Sequence, residues 1–240
     1  MKFVSIVLAG TLETWITSEG KHESILNYPV TPKKTVLSLS IENYKSDFLT
    51  LVATSTPLED LLLPESLIDS IVTYGVKKST KGALSTLSLL VDIIPDDIPI
   101  VVAPADGIVD VDINDFVQDM YEKGFDCGII AFEDINQNYS YARQYQKQVI
   151  EIAEKKVIGD LALSGTYYFR NLTTLLECIH WAYLNNASTK GAFYISSAIN
   201  GLIADKKRVG IFEIQKGKYY RYSTISECET TAERHRNEKV

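Results

Sequence analysis

The residue best placed for chemistry is Asp106, which follows the apolar run IPIVVA (98–103) after Pro104 and Ala105. That run has the clearest strand pattern in the chain, and open α/β sheets bind ligands at the carboxyl ends of their strands. A carboxylate there can hold a hard cation such as Mg2+ against phosphate oxygens. The alternative is that Asp106-Gly107 is simply a turn pair. Asp110 and Asp112 spell DVD just beyond, yet Asp112 precedes a helix starting near 113–114 and reads as its N-cap or a first-turn charge. In TKGALST (80–86), Gly82 permits close backbone approach, and a helix start supplies free N–H groups for a base or phosphate. A plain helix start capped by Ser79 or Thr80 explains the same residues.

Other chemistries have less to stand on. His22, His180 and His235 lack partner spacing for a zinc site or a general base. Cys127, Cys178 and Cys228 are odd in number and far apart, with no CxxC clamp, and Cys127 in CGIIAF reads as a core residue. No serine or cysteine sits in a nucleophile elbow, so hydrolase readings fall. With 24 Lys+Arg against 31 Asp+Glu, the 240-residue chain carries a net charge of −7, which disfavours a general nucleic-acid binder. No run is long and apolar enough for a membrane span, and MKFVSIVLAG is too short to read as a signal peptide. A reducing cytoplasm is the expected location.

These residues need a scaffold, and the sequence reads as strands alternating with helices. Strands are expected at Val4–Ala9, 48–53, 71–76, 98–103, 128–132, 164–169 and Val209–Ile214. Helices are expected at 57–70, 82–94, 114–123, Leu172–Leu184 and Ile195–Ala204. SYARQYQKQVIEIAEKK (140–156) alternates like an antiparallel hairpin. With no linker, repeat or low-complexity segment, one α/β domain is expected over 1–228, with a charged tail over 229–240 that frays or forms a solvated helix.

Four stretches resemble the sugar-phosphate nucleotidyltransferases. TKGALST is similar to that family's TxGAxxT, and IPIVVAPADGIVD (98–110) to its strand ending in NSD or NGD. EIAEKKVIGDLALSGTYYF (151–169) and KGAFYISSAINGLIADKKRVGIFEI (190–214) resemble its VxEKxxxSDxAxxGxYYF and NGEFYxxPxxNxLIxxGKKxxxYEI. The stretches occur in the family's order and cover roughly 75–215. The resemblance implies a single Rossmann-like GT-A domain with a mixed, mostly parallel sheet flanked by helices. It implies Mg2+ at Asp106 and nucleotide contacts from Leu8, Ala9, Gly10, Gly82, Thr86 and Asp106. It also implies sugar-phosphate contacts from Lys155 of the Glu154-Lys155 pair, with Asp160, Gly165 and Thr166 extending that wall. The implied partners are a nucleotide and a phosphosugar or nucleotide-sugar, with no nucleic acid, no membrane span and a possible homo-oligomer.

The pattern departs from the family after the first strand. Where the family has GxGxR and then PKPL to cradle a triphosphate, this chain has LAGTLETWITSEGKHESIL (8–26). Gly10 survives, no Arg follows, Glu13 adds negative charge, and Lys21 is the stand-in for the catalytic PKPL lysine. The GTPEDL motif becomes STISEC (223–228), and Ala192 stands where the family has Glu. Three activities are therefore expected as candidates: a divergent nucleotidyltransferase serving surface polysaccharide, a transferase of the same fold using a preformed nucleotide-sugar, or a non-catalytic binding member.

Overall fold

The computed structural model describes residues 1–10, 14–17, 19–77 and 79–238. Its centre is a nine-stranded sheet of β1 (Val4–Ala9), β2 (Leu49–Thr54), β3 (Val72–Gly75), β4 (Ile100–Pro104), β5 (Cys127–Glu133), β6 (Tyr141–Tyr145), β7 (Gln148–Ala153), β8 (Leu161–Phe169) and β9 (Val209–Ile214). The continuous apolar run of β1 lies mid-sheet, parallel to β2 through Val4↔Leu49 and to β4 through Val4↔Ile100. β3 extends this block beside β2, and β9 lies parallel to β5. β8 runs against β4, β5 and β6, and β7 folds back on β6, so the remaining strands share one direction.

Among the described residues, seven helices accompany the sheet: α1 (Val36–Tyr44), α2 (Glu65–Ile68), α3 (Ala83–Leu87), α4 (Ile113–Glu122), α5 (Leu172–Leu184), α6 (Ile195–Ala204) and α7 (Ile225–Glu238). Alternation along each strand divides the core. Val4, Ile6, Ile100 and Val102 pack with α3, α5 and α6, whereas Val7, Ala9, Val101 and Ala103 pack with α1 and α4. The chain is thus one α/β domain with a mixed, mostly parallel sheet between helical layers.

β8 creates the opening on which the site depends. Its end, Tyr167–Phe169, pairs with β4, while Leu161 and Ala162 pair with β6 on the same edge. Between those contacts the register against β5 slips from Ile129↔Tyr167 to Ala131↔Leu163, so Ser164, Gly165 and Thr166 lie opposite Ile130 alone. Such a bulge bends a strand and re-aims its side chains. Here β4 and β6 diverge, leaving a notch over Gly165.

Three expectations change. The helix expected at 57–70 is a short 3-10 turn, Leu58–Asp60, followed by α2. Pro64 explains the break, since the residue before a proline is driven out of helical geometry. The helix expected at 82–94 is α3 and then a 3-10 turn, Val91–Ile93. The charged C-terminal segment belongs to α7, which buries Cys228 and Ala232 with Ile25, Val30 and Tyr222, and His235 against the Tyr220 ring.

Candidate functional site

The carboxyl ends of β1 and β4 open into a cleft of about 740 Å³. Leu8 and Gly10 line it, while Ala9 between them points into the opposite core, as strand alternation requires. The Ala105 N–H donates to the Leu8 carbonyl at 3.1 Å, fixing the β4 exit beside β1. Asp106 comes next and lines the cleft floor.

The C-terminal segment holds Asp106 in place. Gly107–Val109 pairs antiparallel with Tyr219–Arg221, setting Arg221 opposite Gly107, and the Tyr222 N–H donates to the Asp106 carbonyl at 2.8 Å. The Ser223 hydroxyl donates to Asp106 Oδ2 and accepts from Arg221 Nε at 3.1 Å. Arg221 also meets Glu227 at 3.5 Å and lies 5.2 Å above the Tyr139 ring. Burial works against its charge, but Glu227, then Tyr219, Tyr139 and Asp106, outweigh it and raise its pKa. Behind the floor, fully buried Tyr44 donates to the Gly107 carbonyl at 2.8 Å and meets Thr166 Oγ1 at 3.0 Å. Burial, the leading cause, pushes the Tyr44 pKa well up, so its hydroxyl stays protonated.

One wall is the segment before α3. Thr80 and Thr86 share a 2.6 Å hydrogen bond, and Thr80 Oγ1 also donates to the Gly82 carbonyl. Gly82 lines the cleft but is required elsewhere: its φ is +102°, and a Cβ would lie 2.5 Å from the Phe193 carbonyl oxygen. The Phe193 N–H donates to the Lys81 carbonyl at 2.7 Å, so this close approach locks α3 to the segment before α6.

The far wall comes from the end of β7, the β8 bulge and the start of α6. Glu154 Oε2 accepts from the Ser140 hydroxyl and from Ser196 at 2.5 Å. Burial, followed by the Glu154 carboxylate, raises the Tyr167 pKa, which keeps that phenol a hydrogen-bond donor. Lys155, with φ +51°, turns its ammonium 5.3 Å above the Tyr194 ring and 3.4 Å from that hydroxyl. Gly165, with φ +87°, lies against Pro104 and completes the notch.

Leu8, Gly10, Gly82, Thr86, Asp106, Lys155 and Gly165 therefore meet in one cleft. Ala9 and Thr166 lie behind it, Asp160 lines a separate groove beside Arg143, and Lys21, paired with Glu19 at 2.9 Å, is not among the cleft-lining residues. Thr11, Leu12 and Glu13 lie outside the described residues. Asp112 caps α4 by accepting from the Asn114 N–H at 2.8 Å. Sequence reading did not assign Ser140, Glu154, Tyr167, Tyr194, Arg221 or Ser223 to the site. Glu154, Tyr167, Tyr194 and Ser223 lie within stretches compared above with family motifs, whereas Ser140 and Arg221 do not. Among the described residues, no group of three or more His, Cys, Asp or Glu is arranged to hold a metal ion.

No protein-family model and no curated protein matches the sequence. Solved structures do match its fold. A nucleoside-diphosphate-sugar pyrophosphorylase from Vibrio cholerae RC9 superposes with a TM-score of 0.73 at 19% identity, over 96% of this chain and 100% of that one. A UDP-glucose pyrophosphorylase solved with UDP-glucose gives 0.80 at 14% identity, over 99% and 100%. A putative glucose-1-phosphate thymidylyltransferase from Bacillus anthracis, in complex with a sucrose, gives 0.73 at 15% identity, over 96% and 94%. At these identities the likeness establishes the fold alone.

Proposed function

We propose that the chain is a divergent nucleotidyltransferase. It joins a nucleoside triphosphate to a phosphosugar or similar small phosphate ester and supplies a nucleotide-activated product for surface polysaccharide. The observation that carries this reading is one cleft with three chemistries: a hydroxyl-lined wall at Thr80 and Thr86, a carboxylate beyond two parallel strand ends, and Lys155 beside Glu154 on the far wall. The names of the fold's neighbours support the same class of reaction.

In this reading the nucleoside lies along 80–86 and the acceptor phosphate meets Lys155, a compact point charge. Glu154 has one oxygen committed to Ser140 and Ser196, leaving the other for acceptor hydroxyls. An acceptor phosphate oxygen forms a bond to the α-phosphorus. The α–β bridging bond breaks, and its electron pair leaves with pyrophosphate. Asp106 fits Mg2+ as a single protein carboxylate, because this ion readily takes its other ligands from water and substrate phosphates. Bound there, Mg2+ would neutralise phosphate charge.

The test is a thermal-shift panel of nucleoside triphosphates, nucleoside diphosphates and nucleotide-sugars, with and without Mg2+, on wild type and Asp106→Ala. A ligand at a hundred times its Kd adds about 2.7 kcal/mol, raising Tm by roughly 5–11 °C for a chain of this size. A Mg2+-dependent response to one triphosphate, lost in the variant and accompanied by pyrophosphate release with a phosphosugar, is the expected result. Silence across the panel overturns the reading in favour of a non-catalytic protein.

A further inference from the structure

Phosphate groups need cations, and among the described residues lining the cleft these are Lys155 and Arg221. Lys155 belongs to the far wall. Arg221 stands at the Asp106 end, on a segment remote in sequence from the strands that form the floor.

We propose that Arg221 is the phosphate-binding cation at the Asp106 end of the cleft, with Ser223 as its positioning residue. This rests on the nucleotidyltransferase reading and deepens it by naming what grips the polyphosphate. Pairing of Tyr219–Arg221 with Gly107–Val109 fixes the Arg221 backbone against the Asp106 turn. The side chain is then aimed by its Nε bond to Ser223 and the Tyr139 ring beneath it, while the Glu227 carboxylate 3.5 Å away competes for its charge. One terminal nitrogen, Nη1, is buried without a hydrogen-bond partner, and its Glu227 contact is long at 3.5 Å. Guanidinium N–H groups match phosphate oxygens in pairs, and Arg221 lines the cleft beside Asp106, where a polyphosphate would meet it. Ser223, which accepts from Arg221 while donating to Asp106, joins the cation and the carboxylate in one rigid unit.

Inorganic pyrophosphate is the probe, titrated by calorimetry into full-length wild type, Arg221→Gln, Arg221→Lys, Ser223→Ala and Glu227→Gln, each with chelator and with Mg2+. Loss of a charge-assisted hydrogen bond should weaken binding roughly tenfold to a hundredfold in Arg221→Gln, in chelator as well as in Mg2+. Arg221→Lys should recover part of the loss, and Ser223→Ala should show a smaller one. Glu227→Gln keeps an oxygen for the Ser223 and Thr224 N–H groups but frees the guanidinium, so it should bind as tightly as wild type or tighter. If Arg221 only braces α7, Arg221→Gln and Glu227→Gln lose stability together and neither changes pyrophosphate affinity, which overturns the proposal. Wild-type affinity in a folded Arg221→Gln does the same. Wild type that binds neither pyrophosphate nor any nucleotide removes the underlying reading as well. Should Arg221→Gln fail to fold, Arg221→Lys and Ser223→Ala decide the matter.

Discussion

Replacing Tyr44 with Phe removes one hydroxyl from a fully buried position and leaves two groups without their partner: the Gly107 carbonyl at 2.8 Å and Thr166 Oγ1 at 3.0 Å. A buried polar atom stripped of its hydrogen bond costs about 1–3 kcal/mol. The ring stays, so no cavity term is added, and the expected loss is about 2 kcal/mol. For a chain of this length that lowers Tm by roughly 4–8 °C. Thr166→Val leaves Tyr44 donating to Gly107, so its cost should be nearer 1 kcal/mol. With both hydroxyls gone, the pair no longer contains one member stranded by the other. The double variant should therefore cost about 2 kcal/mol, roughly 1 kcal/mol less than the two singles summed. Urea denaturation of wild type, both singles and the double supplies every corner of the cycle. Strict additivity would show that Tyr44 and Thr166 do not share a bond, and the account of the floor would fail. The same proteins test whether Thr166 is a ligand contact. A support residue predicts lost stability with ligand affinity within about threefold, whereas the reverse pattern would put Thr166 at the substrate.

Three further outcomes follow, two from local geometry and one from a shifted carboxylate. Gly82→Ala forces a Cβ to 2.5 Å from the Phe193 oxygen at a φ of +102°, so urea denaturation should show a loss of at least about 2 kcal/mol. Gly10→Ala meets no atom within 4 Å and should be near neutral. Asp134 has its pKa lowered from 3.8: burial raises it, but Lys216 and the Asn136 and Ile135 N–H groups outweigh burial. A depressed carboxylate contributes stability that is complete above the unfolded value and lost as pH falls through the folded one. The stability gap between wild type and Asp134→Asn should thus be constant near neutrality and close below about pH 4. A gap that widens toward acid would refute the assignment.

Elements with a single dominant pattern were legible from sequence. Val4–Ala9, Leu172–Leu184, Ile195–Ala204 and Val209–Ile214 have the expected bounds, because continuous apolar runs and clear helical spacing are local signals. α1 was not legible. Its VLSLSI has the alternation of a strand, yet both serines and the apolar residues are buried, so no helical stripe shows. The Thr35 and Ser38 capping box at its start is the local cue that marks it as helix. The tail read as fraying or a solvated helix is the helix α7, and its abundant charge hides the buried positions Cys228, Ala232 and His235. Arg234 lies 4.2 Å above the Tyr220 ring, and Arg236 donates to the Val30 carbonyl, so part of that charge is used against the protein's own surface.

The site divides along the same line. Asp106 and the 80–86 segment, read from a strand end and a helix start, and Lys155, read from the resemblance's EK pair, all line the cleft. Arg221 gave no local signal and Ser223 only its place at the head of STISEC, since their roles depend on a strand pairing and on a hydrogen bond spanning 117 residues. That dependence gives the C-terminal segment a physical role. Parallel strand ends bring Leu8, Gly10 and Asp106 together, but nothing in β1 or β4 fixes the rotation of the Asp106 carboxylate. Ser223 does so, and Ser223 is held by N–H contacts to Glu227 in the first turn of α7. The helix is in turn held by burial of Cys228 and Ala232 beside α1. The floor of the cleft is thus completed from the far end of the chain, and an acidic and a basic group are held together where a polyphosphate would meet both.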